Sequence, residues 1–273
     1  MAKKKVSAKA TSKKVKDGYA SVNGLNLYYE IHGEGEPLIL LHGGVGASEM
    51  FEVVSSIFAK SREVIAVHLQ AHGRTADIER PLSFEFMADD IAALIKHLGV
   101  ERTDLLGYSL GGIVALRTTI RYPELIHKLV LISVAFKHNG FYPEVLEGFA
   151  HMGPDAAQFM SQSPLAKLYP NKDWAVLFTK LGHLLRQDFD WSKDVTKIKS
   201  PVMLIFADAD TYHISHIMEF FALLGGGQRD AGLDGSGKPK SRLAILPNTT
   251  HYDILSTSYL TSIVTSFLDA PMP

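Results

Sequence analysis

Residues 103–123 constrain the fold of this chain more than any other segment. Thr103–Tyr108 (T-D-L-L-G-Y) reads as a short apolar strand, and 112–122 (G-I-V-A-L-R-T-T-I-R-Y) reads as a helix stopped by Pro123. Between them lies Gly107-Tyr108-Ser109-Leu110-Gly111. A serine on a tight strand-to-helix turn is thrust out of a sheet with its hydroxyl exposed, and small residues two before and two after it leave room for the reversal. In that setting Ser109 is a candidate nucleophile.

Strand-like and helix-like segments alternate on both sides of this turn. Residues 25–31 (L-N-L-Y-Y-E-I) and 37–42 (P-L-I-L-L-H) read as early strands, the second almost wholly apolar, as expected of a strand covered on both faces. Segments 64–69, 128–133, 202–206 and 242–246 continue the series. Over 83–98, Met87, Ile91, Leu94, Ile95 and Leu98 recur at helical spacing, and Gly99 can end the turn. The alternation predicts an α/β fold, a mostly parallel twisted sheet of about eight strands covered by helices. With 273 residues and 46% hydrophobic content, the chain can bury one large core.

One stretch breaks the rhythm. Residues 136–194 show helical patterns without a strand, with a turn at Gly153-Pro154 and then Trp174, Leu177, Phe178, Leu181, Leu184 and Leu185 at helical spacing. An all-helical insertion of this kind reads as a cap, dividing the core domain into 19–135 and 195–273. Its large apolar residues (Phe141, Tyr142, Phe149, Met152, Phe159, Met160, Trp174, Phe178) are core by default, with about one in three expected to line a pocket. The glycine-dense stretch 225–240 contains G-S-G-K but lacks phosphate-loop spacing and precedes a strand, so it reads as a connector.

Composition bounds the partners. Net charge is −1, giving no global field for nucleic acid or an acidic membrane. The lysines at 3, 4, 5, 9, 13, 14 and 16 lie among Ala, Ser and Thr with no apolar stretch behind them, so 1–18 reads as a basic, disordered tail rather than a signal peptide. No run of about eighteen apolar residues predicts a membrane span. The absence of cysteine excludes a disulfide framework or a thiolate site and suits a cytoplasmic location. Oligomeric state leaves no trace in the sequence.

A serine hydroxyl near neutral pH needs a base, a group that orients the base, and donors for the oxyanion formed on attack. The 202–206 strand runs into Ala207-Asp208-Ala209-Asp210, and the 242–246 strand into Pro247-Asn248-Thr249-Thr250-His251. Both loops leave carboxyl ends of strands, on the edge that carries Ser109, and the order Ser, Asp, His suits this architecture. Leu110 N–H, at the positive end of its helix, is one expected oxyanion donor. The second should come from the loop His42-Gly43-Gly44-Val45-Gly46. Among the other histidines, His213 and His216 have i,i+3 spacing, but without a nearby third ligand they read as a surface pair at a helix start.

These residues resemble the α/β-hydrolase superfamily, in its serine-nucleophile, esterase-like form, over roughly 19–268. The family's G-x-x-D pattern laid on 207–210 implies Asp210 as the acid and Asp208 as its neighbour. The alternative acid position after the preceding strand, Ser133-Val134-Ala135-Phe136, offers no carboxylate. His251 matches the base, with Thr250 where glycine is usual. The H-G-x motif implies Gly44 as the second oxyanion donor and makes His42 a loop-fixing residue. The D-x-x-G-H-G-x-S motif is degraded to His68-Leu69-Gln70-Ala71-His72-Gly73-Arg74-Thr75, keeping only its His72-Gly73 core.

The resemblance implies hydrolysis of a carboxylic ester or related acyl compound through an acyl-enzyme, with a small-molecule substrate having an apolar part and no metal or organic cofactor. The same triad also serves lactonases, cofactor-free perhydrolases and hydrolases of carbon–carbon bonds. Some relatives are non-catalytic ligand binders.

Overall fold

The computed structural model describes residues 16–272. Eight strands form one sheet: β1 (Lys16–Val22), β2 (Leu25–His32), β3 (Glu36–Leu41), β4 (Arg62–Val67), β5 (Thr103–Tyr108), β6 (Ile126–Ile132), β7 (Val202–Ala209) and β8 (Arg242–Thr250). Their spatial order is β1-β2-β4-β3-β5-β6-β7-β8. β2 pairs antiparallel with β1 and with β4, and every later pairing is parallel.

The expected strands recur with shifted ends, and β1 is an addition. Asn23 and Gly24 both have positive φ, 48° and 80°, which closes a two-residue hairpin between β1 and β2. Residues 16–18, assigned above to the tail, are therefore paired with Tyr29, Glu30 and Ile31. The rest of that expected tail lies outside the described residues.

Strand side chains alternate between two cores. Ile39, Leu41, Leu105, Leu129 and Leu131 face one side, while Leu38, Leu40, Leu106, Val130 and Ile132 face the other. Helices α2 (Phe84–His97), α3 (Leu110–Arg121) and α8 (Ile214–Leu223) supply Met87, Ile91, Ile113, Val114, Ile217 and Phe220 to the first. Helices α1 (Glu52–Phe58) and α9 (Ser258–Leu268) supply Val54, Phe58, Leu260 and Val264 to the second. Helix α2 starts where its cap predicts: the Ser83 side chain accepts from the N–H groups of Glu85 and Phe86, and Gly99 at φ 69° ends it.

Between β6 and β7 the named elements are helical: α4 (Pro143–Ala150), α5 (Pro164–Leu168), α6 (Trp174–Leu185), α7 (Ser192–Val195) and two 3-10 turns. The insertion is fastened to the sheet's carboxyl edge by cations. Lys180 Nζ, on α6, reaches Asp77 Oδ2 at 2.5 Å and the carbonyls of Ile78 and Arg80 at 2.8 Å. Lys172 Nζ donates to the Thr75 carbonyl at 3.0 Å.

Candidate active site

Ser109 sits on the turn from β5 into α3 with φ 52° and ψ −121°. A Cβ on Gly107 would collide with the Gly111 carbonyl, and one on Gly111 with the carbonyls of Leu41 and His42. The turn therefore tolerates only glycine at both places. Ser109 N–H donates to the Ile132 carbonyl at 3.0 Å, which fixes the turn to β6.

The loops after β7 and β8 bring Asp210 and His251 to this serine. Ser109 Oγ lies 3.0 Å from His251 Nε2, and His251 Nδ1 lies 2.9 Å from Asp210 Oδ1. A carboxylate can only accept, so Nδ1 carries the proton and Nε2 is left to accept from the serine hydroxyl. Tyr108, one residue before the serine, donates its hydroxyl to the His251 carbonyl at 2.6 Å. Burial pushes that phenol's pKa up, so it remains a donor.

Asp210 is almost wholly buried, its side chain 1% exposed. Burial would push its carboxyl up, but hydrogen bonds from His251, Ser133 and Ala207 N–H, with the attraction of His251, hold it below the usual value. Asp208 faces solvent and does different work. It accepts from Asn248 N–H at 2.8 Å and Thr249 N–H at 3.0 Å, tying the end of β8, which leads into His251, to the end of β7.

The loop 42–48 is built on three buried histidines. His42 donates from Nδ1 to the Gly43 carbonyl at 2.8 Å and accepts Leu69 N–H at Nε2 at 3.2 Å. His72 donates from Nδ1 to the Gln70 carbonyl at 2.8 Å and accepts Val45 N–H at 3.3 Å. His68 accepts Arg74 N–H at Nδ1 at 2.8 Å and donates from Nε2 to Ser48 Oγ at 2.8 Å. Every ring is thus held neutral. Burial lowers His42 to about 4 and His68 to about 3, and drives His72 well below the ordinary value.

This network also accounts for departures from the D-x-x-G-H-G-x-S pattern. His68 and Thr75 are structural partners here, with Thr75 Oγ1 bridging the His68 carbonyl (2.6 Å) and Tyr28 N–H (2.9 Å). The loop sets Gly44 against Leu110: a Cβ on Gly44 would stand 3.9 Å from Leu110 Cβ. The two expected donor residues are neighbours beside Ser109.

A cavity of about 310 Å³ opens at the serine. Phe141, Val145, Phe149 and Met152 line it around α4, Leu181 and Leu185 from α6, and Ile113 from α3. Three of the eight large apolar residues flagged in the insertion thus reach the cavity, while Phe159 is 86% exposed. A larger cavity of about 570 Å³ lies between the start of β8 and α9, lined by Lys128, Arg242 and Phe267 among others. That is the opposite edge of the sheet, and neither Ser109 nor His251 borders it.

His216 overturns one expectation. It is 2% exposed, stacked on Phe136 at 4.4 Å, and so is not half of a surface pair. The chain after β6 lays Phe136 over α8, a contact that helical spacing alone does not reveal. Burial lowers its pKa to about 4. Among the described residues no group of three or more histidine, aspartate or glutamate side chains is arranged to hold a metal. No helix among them is long and apolar enough to cross a membrane.

The family model described as alpha/beta hydrolase fold matches residues 36–209, more than half of the chain. The chain belongs to the alpha/beta hydrolase fold family. The match includes Ser109 and stops one residue before Asp210. A Haemophilus influenzae protein named as an esterase/lipase is 32% identical over 114 residues, 42% of this chain and 37% of that protein. The chain spans 37 to 58% of the length of the curated relatives it first matches.

Among solved structures, a carboxylesterase of Bacillus subtilis superposes with a TM-score of 0.73 at 20% identity, covering 94% of this chain and 93% of that one. An enol-lactonase of Burkholderia xenovorans gives 0.73 at 20% identity, covering 92% and 100%. At such identities these alpha/beta hydrolase neighbours establish the fold.

Proposed function

We propose that this alpha/beta hydrolase is a serine esterase that cleaves uncharged carboxylic esters with a hydrocarbon acyl group. The carrying observation is the line from Ser109 Oγ to His251 Nε2 and on to Asp210, with links of 3.0 and 2.9 Å, opening on an apolar cavity. The helical insertion acts as the cap that walls this cavity. His251 takes the Ser109 proton as Oγ attacks the acyl carbonyl, and Asp210 stabilises the imidazolium. The N–H groups of Leu110 and Gly44 receive the oxyanion. His251 then gives its proton to the leaving alcohol, and the acyl group stays on Ser109. Water, losing a proton to His251, adds to this acyl-enzyme, and collapse returns the proton to Ser109 and frees the acid.

The cavity lining argues for the substrate class. Among the described residues, no Lys, Arg, Asp or Glu borders the cavity. The hydroxyls of Tyr108 and Tyr212 are spent on the carbonyls of His251 and Ser133. A charged acyl group would lose its water without gaining a charged partner among the described residues, and Thr211 and Tyr252 are the remaining hydroxyl side chains of the lining besides Ser109. At about 30 Å³ per water-sized group, the cavity holds about ten non-hydrogen atoms. The esterase names of the Haemophilus and Bacillus proteins favour the same chemistry. A lactone is an internal ester and would follow the same steps; a diketone would release an enol carbon in place of the alcohol, and perhydrolysis would need hydrogen peroxide in place of water.

The test is turnover on p-nitrophenyl esters of graded length beside lactones, diketones and a hemisuccinate ester. We expect butyrate to octanoate to lead, and palmitate and the charged ester to fall at least about tenfold behind. A preference for the charged ester would contradict the reading.

A further inference from the structure

Beside the triad, one buried hydroxyl is spent on the acid and on nothing else. We propose that Ser133 is a positioning residue for Asp210, an inference that rests on the triad reading above. Ser133 follows β6 directly and is wholly buried. Its φ of 53° lies in the left-handed region that residues other than glycine adopt at a cost, a strain that marks functional positions when the surroundings hold it in place.

The surroundings do hold it. Ser133 N–H donates to the Ile205 carbonyl at 2.8 Å, and its carbonyl accepts the Tyr212 hydroxyl at 2.9 Å. With the backbone pinned to β7 and to the start of α8, the side chain has one acceptor in reach. Ser133 Oγ donates to Asp210 Oδ2 at 2.6 Å, the shortest hydrogen bond that the carboxylate receives.

The division of labour on the carboxylate explains why this matters. Oδ1 faces His251 and also accepts Thr211 N–H at 2.8 Å. Oδ2 is held by Ser133 and by Ala207 N–H at 2.9 Å. Of the two backbone donors, Thr211 N–H comes from Asp210's own loop and moves with it, whereas Ala207 N–H belongs to β7, the strand that leads into Asp210. Ser133 is the donor from a different strand that fixes the carboxylate plane while Oδ1 orients the imidazole. A base must be held within a fraction of an ångström of its productive position to act, so a loosened acid costs turnover before it costs substrate binding.

The experiment compares Ser133→Ala and Ser133→Gly, which both remove the hydroxyl while glycine accepts the backbone conformation without strain. Wild type, both variants, Asp210→Ala and the double variant Ser133→Ala/Asp210→Ala are assayed on p-nitrophenyl butyrate. We expect both single Ser133 variants to lose about tenfold in kcat with KM within about twofold. In the Asp210→Ala background, Ser133→Ala should cost less than about twofold, because the partner it serves is gone. A wild-type kcat in either Ser133 variant, or an undiminished loss in the Asp210→Ala background, would overturn the proposal. Failure of the triad reading looks different: Asp210→Ala itself would then turn over like wild type.

Discussion

Asp208 and Asp210 stand two residues apart at the end of β7 and do separate work. Asp210 is enclosed and faces His251, whereas Asp208 is exposed and accepts two backbone N–H groups at the end of β8, just before His251. Asp210→Asn keeps the shape of the acid but allows the wrong imidazole tautomer, so kcat should fall by about 10⁴. Asp208→Asn keeps an acceptor for the same N–H groups and should stay within about tenfold of wild type. Steady-state kinetics on one activated ester separates the two. The position of Asp210 beside His251 was legible only through the family's G-x-x-D spacing, which points to the last of 207–210, because the strand read over 202–206 ends before both aspartates. Ser133 was not legible: its segment was read for a carboxylate, and a hydroxyl aimed across strands has no sequence signal. His216 was misread for the related reason that Phe136 reaches it from a distant element.

Among the elements, the turn from β5 to α3 holds Ser109 and the helical insertion lines the cavity beside it. Gly111 has the carbonyls of Leu41 and His42 where a side chain would begin. Gly111→Ala must therefore displace β3 or the serine, and we expect loss of activity together with a lowered Tm, read by an ester assay and calorimetry. Phe149 and Met152 line the cavity from α4 and the turn after it. Met152→Trp should shorten the preferred acyl chain while leaving acetate turnover within about threefold, since added bulk takes volume from the distal acyl group. The insertion was legible as a run of helical patterns without a strand, and its pocket-facing members were not, because helical spacing identifies a face and not what it meets. β1 was missed because its first residues, Lys16-Asp17-Gly18, continue the lysine-rich stretch, and only Ala20 and Val22 of the strand are buried. The Asn23-Gly24 turn was the available signal for that hairpin.

Across the whole molecule, the two cores and the histidine network set stability. Leu40 is fully buried between sheet and helices, and Leu40→Ala should cost about 2–5 kcal/mol in urea unfolding. His42, His68 and His72 have folded-state pKa values pushed below the ordinary value by burial. Their unfolded forms take up protons as pH falls below about 6.5, while the folded forms do not. Their contribution is fully present above that pH and is lost as pH falls towards about 4 and below. We therefore expect Tm to drop through this window, with the loop 42–48 failing first, a loss of activity ahead of global unfolding. A Tm unchanged between pH 7 and pH 4.5 would contradict the network's role. The α/β architecture was legible from alternation alone. The neutral histidine trio was not, because it forms only when the loops after β3 and β4 pack together.

The central claim is that Ser109 is a nucleophile activated by His251. It is tested most directly by incubating the protein with a fluorophosphonate and reading the intact mass and the labelled peptide. One adduct is expected, on Ser109, absent in Ser109→Ala and formed at least about 10²-fold more slowly in His251→Ala. Labelling that persists in Ser109→Ala, or that proceeds at the wild-type rate without His251, would contradict it.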